Sequence, residues 1–507
     1  MKRRIWIAGT WVALAAAAIL AACGGGSSGN SSSGMAGASG VITGFGSVFV
    51  NGKEFATDTH TQVLDGDNDD AASATANLQV GMTVDVDASS GTATMLRFTS
   101  AVRGEIDAID TMASTLTVLG QTVKITTGTS FTGNVGNSSA GSTPKQLSDV
   151  HVGDYAVVFG YQECSGSSCS SGATDIVATL VDEPASVGKY RVQGYVSNYS
   201  ASTNSFKING LTVDITTSGM SPTHCNTMNC AFANGDFVSV RSTSAPAGSF
   251  SAGTLTLMAD DVKLRPVAPT FAMGSTVTIE GPVTQLSGSS FVVRGIMVDG
   301  SGVASSMTGL ANKQIVEVTG TISSTGTLVA TSITVEQHAT FLLAGAIDSV
   351  STTGFSVLGQ SFSVTSSTRF GDWAQDVRPF NSTNFSTVLK MGDEVIVGAY
   401  RSGSGNVATR VERIPTPNSP QAGVAGVVSA DDASADTMTI AGITVTLNSS
   451  TKLFYPGSGS SPTLTGFFAA ITPNSTVAAA YGAPGSMTGT VTAAVAAALP
   501  SNTHWED

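Results

Sequence analysis

The sequence predicts an all-β protein built of tandem small barrels, and three observations carry that reading. Gly, Ser, Thr, Val and Ala dominate while only 12% of residues are charged, a mixture that suits many short strands joined by small-residue turns and argues against helices. Gly-centred strand pairs recur along the chain at the spacing of one small domain. At 507 residues the chain is too long for one core and should divide into several.

The amino terminus sets the cellular context. MKRRIWIAGTWVALAAAAILAAC places Lys2, Arg3 and Arg4 before an apolar run from Ile5 to Ile19 and closes on Leu20-Ala21-Ala22-Cys23. This is the form of a secretory signal, expected over residues 1–22, and its last four residues resemble the bacterial lipobox. The resemblance implies that Cys23 is lipidated on its thiol, that the peptide is cut before it, and that the new amino terminus is acylated. The alternative is an uncleaved helix, but an apolar run of 15 to 18 residues is short of the roughly 20 that span a bilayer. Gly24 stands where an inner-membrane lipoprotein would typically carry Asp, so the resemblance favours the outer membrane, with the protein facing periplasm or cell surface. Several acyl chains on one residue give durable attachment where one does not, so the membrane, through Cys23, is the first expected partner.

Residues 23–39 show no apolar periodicity and read as a flexible Gly/Ser tether. Loss of residues 1–22 would remove three positive charges and no acids, taking the formal charge from −13 to −16. Nucleic acid is therefore not an expected partner, since a phosphate backbone draws on clustered Lys and Arg.

The repeat begins with two near copies, VLGQTVKITTGTSF at Val118 and VLGQSFSVTSSTRF at Val357. They belong to a series of Gly-centred hairpins at Gly52, Gly120, Gly210, Gly295, Gly359 and Gly442, spaced by 68, 90, 85, 64 and 83 residues. A second glycine, at Gly104, Gly194, Gly281, Gly345 and Gly426, precedes each of the last five by 14 or 16 residues. These spacings differ by one two-residue strand period, so the inward face is kept. In the first unit Gly44 lies only 8 residues ahead of Gly52. A third signal, Gly usually followed by Asp, opens a later strand, as in VHVGDYAVVFG and LKMGDEVIVG. A last strand carries Ala-Thr near its start, at Ala178-Thr179, Ala330-Thr331 and Ala408-Thr409.

Each unit thus offers about five strands: one with a mid-strand Gly that marks a bend, a hairpin pair, a strand after the Gly-Asp turn, and a final one. A short Leu-rich turn such as QLSDVHVGD precedes the fourth. Five strands, a bent first strand and a plug before the fourth predict an OB-like five-stranded β-barrel, with β-sandwich repeats as the alternative, although those usually want about seven strands. The units are expected at 40–101, 102–188, 189–269, 270–339, 340–419 and, divergent and with the tail, 420–507. They are expected to form a string or a packed arc. Joints such as VDEPASVGKY and KLRPVAPT suggest relative motion.

The pattern G-x-[IV], [VI]-x-G-x-x-[VF], T-x-F, L-x-x-G-[DM]-x-V resembles the bacterial secreted family catalogued as domain of unknown function 5666. It is carried by Gly44, Val50-Asn51-Gly52 and Val80-Gly81-Met82, by Gly104, Leu119-Gly120-Gln121, Thr129-Ser130-Phe131 and Gly153-Asp154, and by Gly345, Leu358-Gly359-Gln360, Thr368-Arg369-Phe370 and Gly392-Asp393. The resemblance covers most of residues 40–415. Units four and six depart from it in losing the Gly-Asp turn. It implies envelope lipoproteins of repeated domains and carries no catalytic residue onto this chain.

Candidate site residues are few. Cys164 and Cys169 have four residues between them, as do Cys225 and Cys230. Past the inner membrane the compartment is oxidising, so matched pairs read as local disulfides, each contributing roughly 2 kcal/mol by the chain-entropy estimate. A tetrathiolate metal site with His224 is the alternative. Asp65, Asp67, Asp69 and Asp70 in LDGDNDDAAS imitate the start of a calcium loop, but the sixth position is Asp70 where Gly belongs and the twelfth is Ala76 where Glu belongs. A solvated acidic loop is the competing reading. No cofactor is expected beyond that weak case for calcium. Trp373, near Phe370, Phe380 and Phe385, could stack on a glycan or cap a barrel end.

No G-x-S-x-G, H-E-x-x-H or G-K-[ST] motif is found, and His60, His151, His224 and His338 fall in different units. The expected function is a lipid-anchored envelope protein acting as a binding or scaffolding module without catalysis, its partner an unknown envelope protein or glycan. The alternative is an envelope enzyme or accessory factor whose site lies between units.

Overall fold

The computed structural model describes residues 34–498 except 46, 69–70, 73–77, 112, 127, 134–146, 165–173, 185–187, 217–231, 376, 378–379, 404 and 456–461. It is an all-β structure of six five-stranded barrels. The second barrel shows the plan in its strands Val102–Asp110, Thr115–Val118, Gln121–Lys124, Tyr155–Cys164 and Thr174–Glu183. Pairing runs first to second to third to fifth to fourth and back to the first, which closes the circuit. Only the contact between third and fifth strands is parallel, Val123 opposite Ile176. This is the Greek-key order of an OB barrel, closed rather than partly open.

The same circuit returns in the fifth and sixth barrels, whose first strands are Phe341–Val350 and Ala422–Asp432. In the third and fourth barrels the first strand bends at Val196 and Val283 into two segments, so that its two halves serve opposite sides of the barrel. The first barrel closes through one parallel bridge, Ala56 to Thr92. A short helical turn precedes the fourth strand in the second, fifth and sixth barrels, at Leu147–Asp149, Phe385–Val388 and Leu464–Ala469.

The repeated motifs have physical causes. Ahead of the central glycine, Asn51, Leu119, Asn209, Arg294, Leu358 and Ala441 all take left-handed backbone with φ between 45° and 51°, the geometry of a tight hairpin matched to strand twist. The Thr of T-x-F accepts from the backbone three residues earlier and donates to the Ala of the last strand: Thr129 to Ala178 O and Thr368 to Ala408 O, both at 2.7 Å. The Asp of the Gly-Asp turn closes that turn on itself, Asp154 Oδ2 accepting from His151 N at 2.8 Å and Asp393 Oδ2 from Lys390 N at 2.9 Å. The Gly before it donates to the first strand, Gly153 N to Ile106 O and Gly392 N to Ile347 O, both at 2.9 Å.

The barrels are fused rather than strung. First strands hydrogen-bond across units: Val102 and Arg103 of the second barrel face Val192 and Arg191 of the third in antiparallel register, and Phe341 to Ala344 of the fifth face Gly426 to Gly423 of the sixth. Gly37 to Ser39 of the first barrel run parallel to Val277 to Ile279 of the fourth. Sheets therefore pass from barrel to barrel although each barrel still closes on itself. Of the joints expected to permit motion, the one between second and third barrels is bridged by this pairing, and at the one between third and fourth Val267 packs against Gly295. One contiguous apolar cluster runs through the first three barrels and another through the last two.

The two VLGQ copies occupy like places in this arrangement. Gly210 N donates to Gly120 O at 3.2 Å, and Gln121 bonds Ile208 O and Asn209 of the third barrel. Gln360 likewise lies against Gly442 of the sixth, its Nε2 3.3 Å from where a Cβ there would be.

Candidate functional site

Four barrels meet around a cleft of about 890 Å³. Its floor is the outer face of the first barrel, where every second residue of the fourth strand Thr83–Ser89 (Thr83, Asp85, Asp87) and of the fifth strand Thr92–Phe98 (Met95, Arg97, with Thr99 beyond) turns away from the core. The second barrel contributes Tyr161 and Gln162, the third Gln193, Tyr195 and Phe237, and the fourth Thr284, Arg294 and Met297. The connection between third and fourth barrels, from Arg265 to Phe271, forms one wall. Its prolines, Pro266 and Pro269, keep this strap extended and without amide donors there.

Charge in the cleft is paired. Asp85 accepts from Ser39 Oγ at 2.6 Å and from Arg294 Nη2 at 3.3 Å. The Arg294 guanidinium lies 5.6 Å from the Tyr161 ring centroid, a cation–π contact. Tyr161, itself buried, donates to Glu280 Oε1 at 2.7 Å. Desolvation, with Glu336 beside it, pushes the Glu280 carboxyl up to about 8. Arg369 of the fifth barrel turns to Glu336 at 3.1 Å and donates to Gly128 O of the second at 2.8 Å. Burial also raises the Asp87 carboxyl on the cleft floor. Gln162 Oε1 and Arg294 Nη1, both shut off from solvent behind the cleft lining, have no hydrogen-bond partner in the protein.

A family model described as Domain of unknown function (DUF5666) matches residues 39–95, 103–168, 193–254, 280–334, 344–412 and 425–479. The chain belongs to this family. Each of the six barrels carries a DUF5666 match, the fourth and sixth included although they lack the Gly-Asp turn. No curated protein matches the chain.

The residues singled out in the sequence fall elsewhere on this DUF5666 assembly. Asp67 is buried: its carboxylate meets Arg191 of the third barrel at 2.8 Å and Arg103 of the second at 3.3 Å and accepts from Ser100 N at 2.9 Å. It is thus an anion among guanidinium groups instead of part of a solvated acidic loop. Asp65 is half-buried and accepts from Asp67 N at 2.9 Å. Asp69 and Asp70 lie outside the described residues. Among the described residues no group of three or more His, Cys, Asp or Glu could hold a metal ion.

Cys164 ends the fourth strand of the second barrel, buried and disulfide-bonded; Cys23, Cys169, Cys225 and Cys230 lie outside the described residues. Trp373 is half-buried on the fifth barrel, its Nε1 donating to Glu412 at 3.2 Å, while Phe370, Phe380 and Phe385 pack together in the core beneath. It does not line the cleft. Sequence reasoning missed the cleft residues, because outward polar positions of a strand look the same whether they face water or another barrel. The one available signal was KLRPVAPT, a proline-rich joint carrying an arginine.

Proposed function

We propose that this protein is a lipid-anchored component of the bacterial outer membrane in which six fused barrels form one binding or scaffolding module, and that the cleft among the first four barrels takes the ligand. The observation that carries the reading is the cleft itself. At about 890 Å³ it lies toward the upper end of the roughly 300–1,000 Å³ usual for ligand sites, and no single barrel could form it. The lipobox-like LAAC and the disulfide at Cys164 support the envelope setting. A glycan or an envelope protein is the partner, and no catalysis is assigned.

A second reading, an enzyme working in the same cleft, draws on Asp87: a carboxyl raised by burial beside the ion-paired Asp85 has the character of a proton donor. Turnover of a bound ligand would favour it.

Two measurements test the proposal. Cys23→Ser should move the protein from the membrane to the soluble fraction. Met297 is exposed at the cleft, so Met297→Trp should fill the opening and abolish retention of the component that the soluble form, residues 24–507, captures from envelope extract. Capture undiminished by Met297→Trp would remove the cleft as the site.

A further inference from the structure

We infer that the cleft binds a neutral oligosaccharide; this rests on the cleft being the ligand site and names what fills it. The argument runs by elimination and then by fit. An apolar ligand would strip water from the Asp87 carboxyl with nothing in return, and burying an unsatisfied polar group is expensive. A phosphate or other dense anion would meet Arg97 and Arg265, but it would also sit beside Asp85 and Asp87 on the floor, and Arg294 is already committed to Asp85. An extended peptide gains its affinity from a free strand edge, but both floor strands are paired on each side: Thr83–Ser89 with Gly37–Phe45 and Thr92–Phe98, and Thr92–Phe98 also with Gln62–Asp65.

A sugar meets what remains. Its C–H faces need aromatic rings without strict geometry, and Tyr195 and Phe237 offer two, 5.0 Å apart and tilted by 57°. Its hydroxyls both donate and accept, which suits side chains of mixed sense: Asp87 accepting and Gln193 doing either. A volume of about 890 Å³ has room for several sugar rings.

The test is calorimetric titration of the soluble form, residues 24–507, with the tetrasaccharides of the cello-, chito-, malto- and manno- series, and with tetragalacturonate and inorganic phosphate as anionic arms. At least one neutral series should bind with Kd below about 1 mM. Tyr195→Ala and Asp87→Asn should each weaken that binding by at least about tenfold at unchanged melting temperature, while Trp373→Phe leaves it intact. Binding only in an anionic arm overturns the inference, as does neutral binding that survives both cleft variants. If no neutral sugar binds but Met297→Trp still abolishes capture from envelope extract, the ligand class is wrong and the cleft stands. If capture also persists, both fail.

Discussion

The Leu119 side chain occupies the space that a side chain on Gly104 would need: a Cβ built there lies 2.5 Å from Leu119 Cγ. Leu119 is the left-handed residue of the hairpin turn and is fully buried. In this barrel the mid-strand glycine leaves the hole that the hairpin turn fills, which ties the two glycines to each other. Gly345 and Leu358 repeat the relationship more loosely, at 3.3 Å. Gly104→Ala should therefore lower stability by about 1–3 kcal/mol, the usual cost of overpacking, and Gly345→Ala by less. Urea unfolding of the two variants checks this order; equal or negligible losses would mean the turn is not packed on the first strand.

The pairing of Asp67 with Arg191 and Arg103 joins three barrels. Asp67→Ala leaves both guanidinium groups without their anion, Arg191 fully buried, and we predict a loss of about 3–5 kcal/mol, the range for removing one member of a buried ion pair. A double variant, Asp67→Ala with Arg191→Met, should recover much of that loss. Denaturation midpoints of the three proteins decide it; a double variant no better than Asp67→Ala would show that the pair does not act as a unit.

These contacts also mark how far the sequence could be read. The barrels were legible because six copies repeat the same glycines, and each glycine answers a backbone demand that recurs. The assembly was not, because its bonds are made once each: Asp67 to Arg191, Tyr161 to Glu280, Arg410 to Thr129 O at 2.6 Å. A contact that occurs in one copy leaves no period. Asp67 read as a solvated acid because its two partners lie in other barrels, and the parallel pairing of Gly37–Phe45 with Thr276–Pro282 joins strands from the first and fourth units. Trp373 drew attention by rarity, whereas the cleft is lined by common residues in ordinary strand alternation.

Stability should fall as pH rises from about 5 to about 9. Burial raises Glu280 to about 8, Glu183 to about 7 and Glu317 to about 6, from an ordinary value of 4.5. Each then binds its proton more tightly folded than unfolded, so its stabilising contribution is full below 4.5 and is lost as pH climbs through the folded value. Around Glu280 the facing groups are Tyr161, Arg369, Glu336 and Glu317. Glu280→Gln should flatten the upper part of the profile, between about pH 7 and 9, in urea midpoints taken across that range. A wild-type profile that rises there would contradict the assignment.

Cysteine pairing is directly measurable. The soluble form retains four cysteines once Cys23 is excluded, and none should react with a thiol reagent in denaturant before reduction. Peptide mapping should join Cys164 to Cys169 and Cys225 to Cys230. A peptide joining Cys164 to Cys225 or Cys230 would instead make the disulfide a tie between the second and third barrels.

Small-angle X-ray scattering of the soluble form tests the account's central claim, that six closed barrels, joined in pairs through their first strands, pack into one body. A compact particle of this length has a radius of gyration of about 23 Å by the scaling for folded chains, and we predict a value within a few ångströms of that with a single-peaked distance distribution. A markedly larger value, with the long tail of beads on a string, would contradict the fusion and with it the cleft.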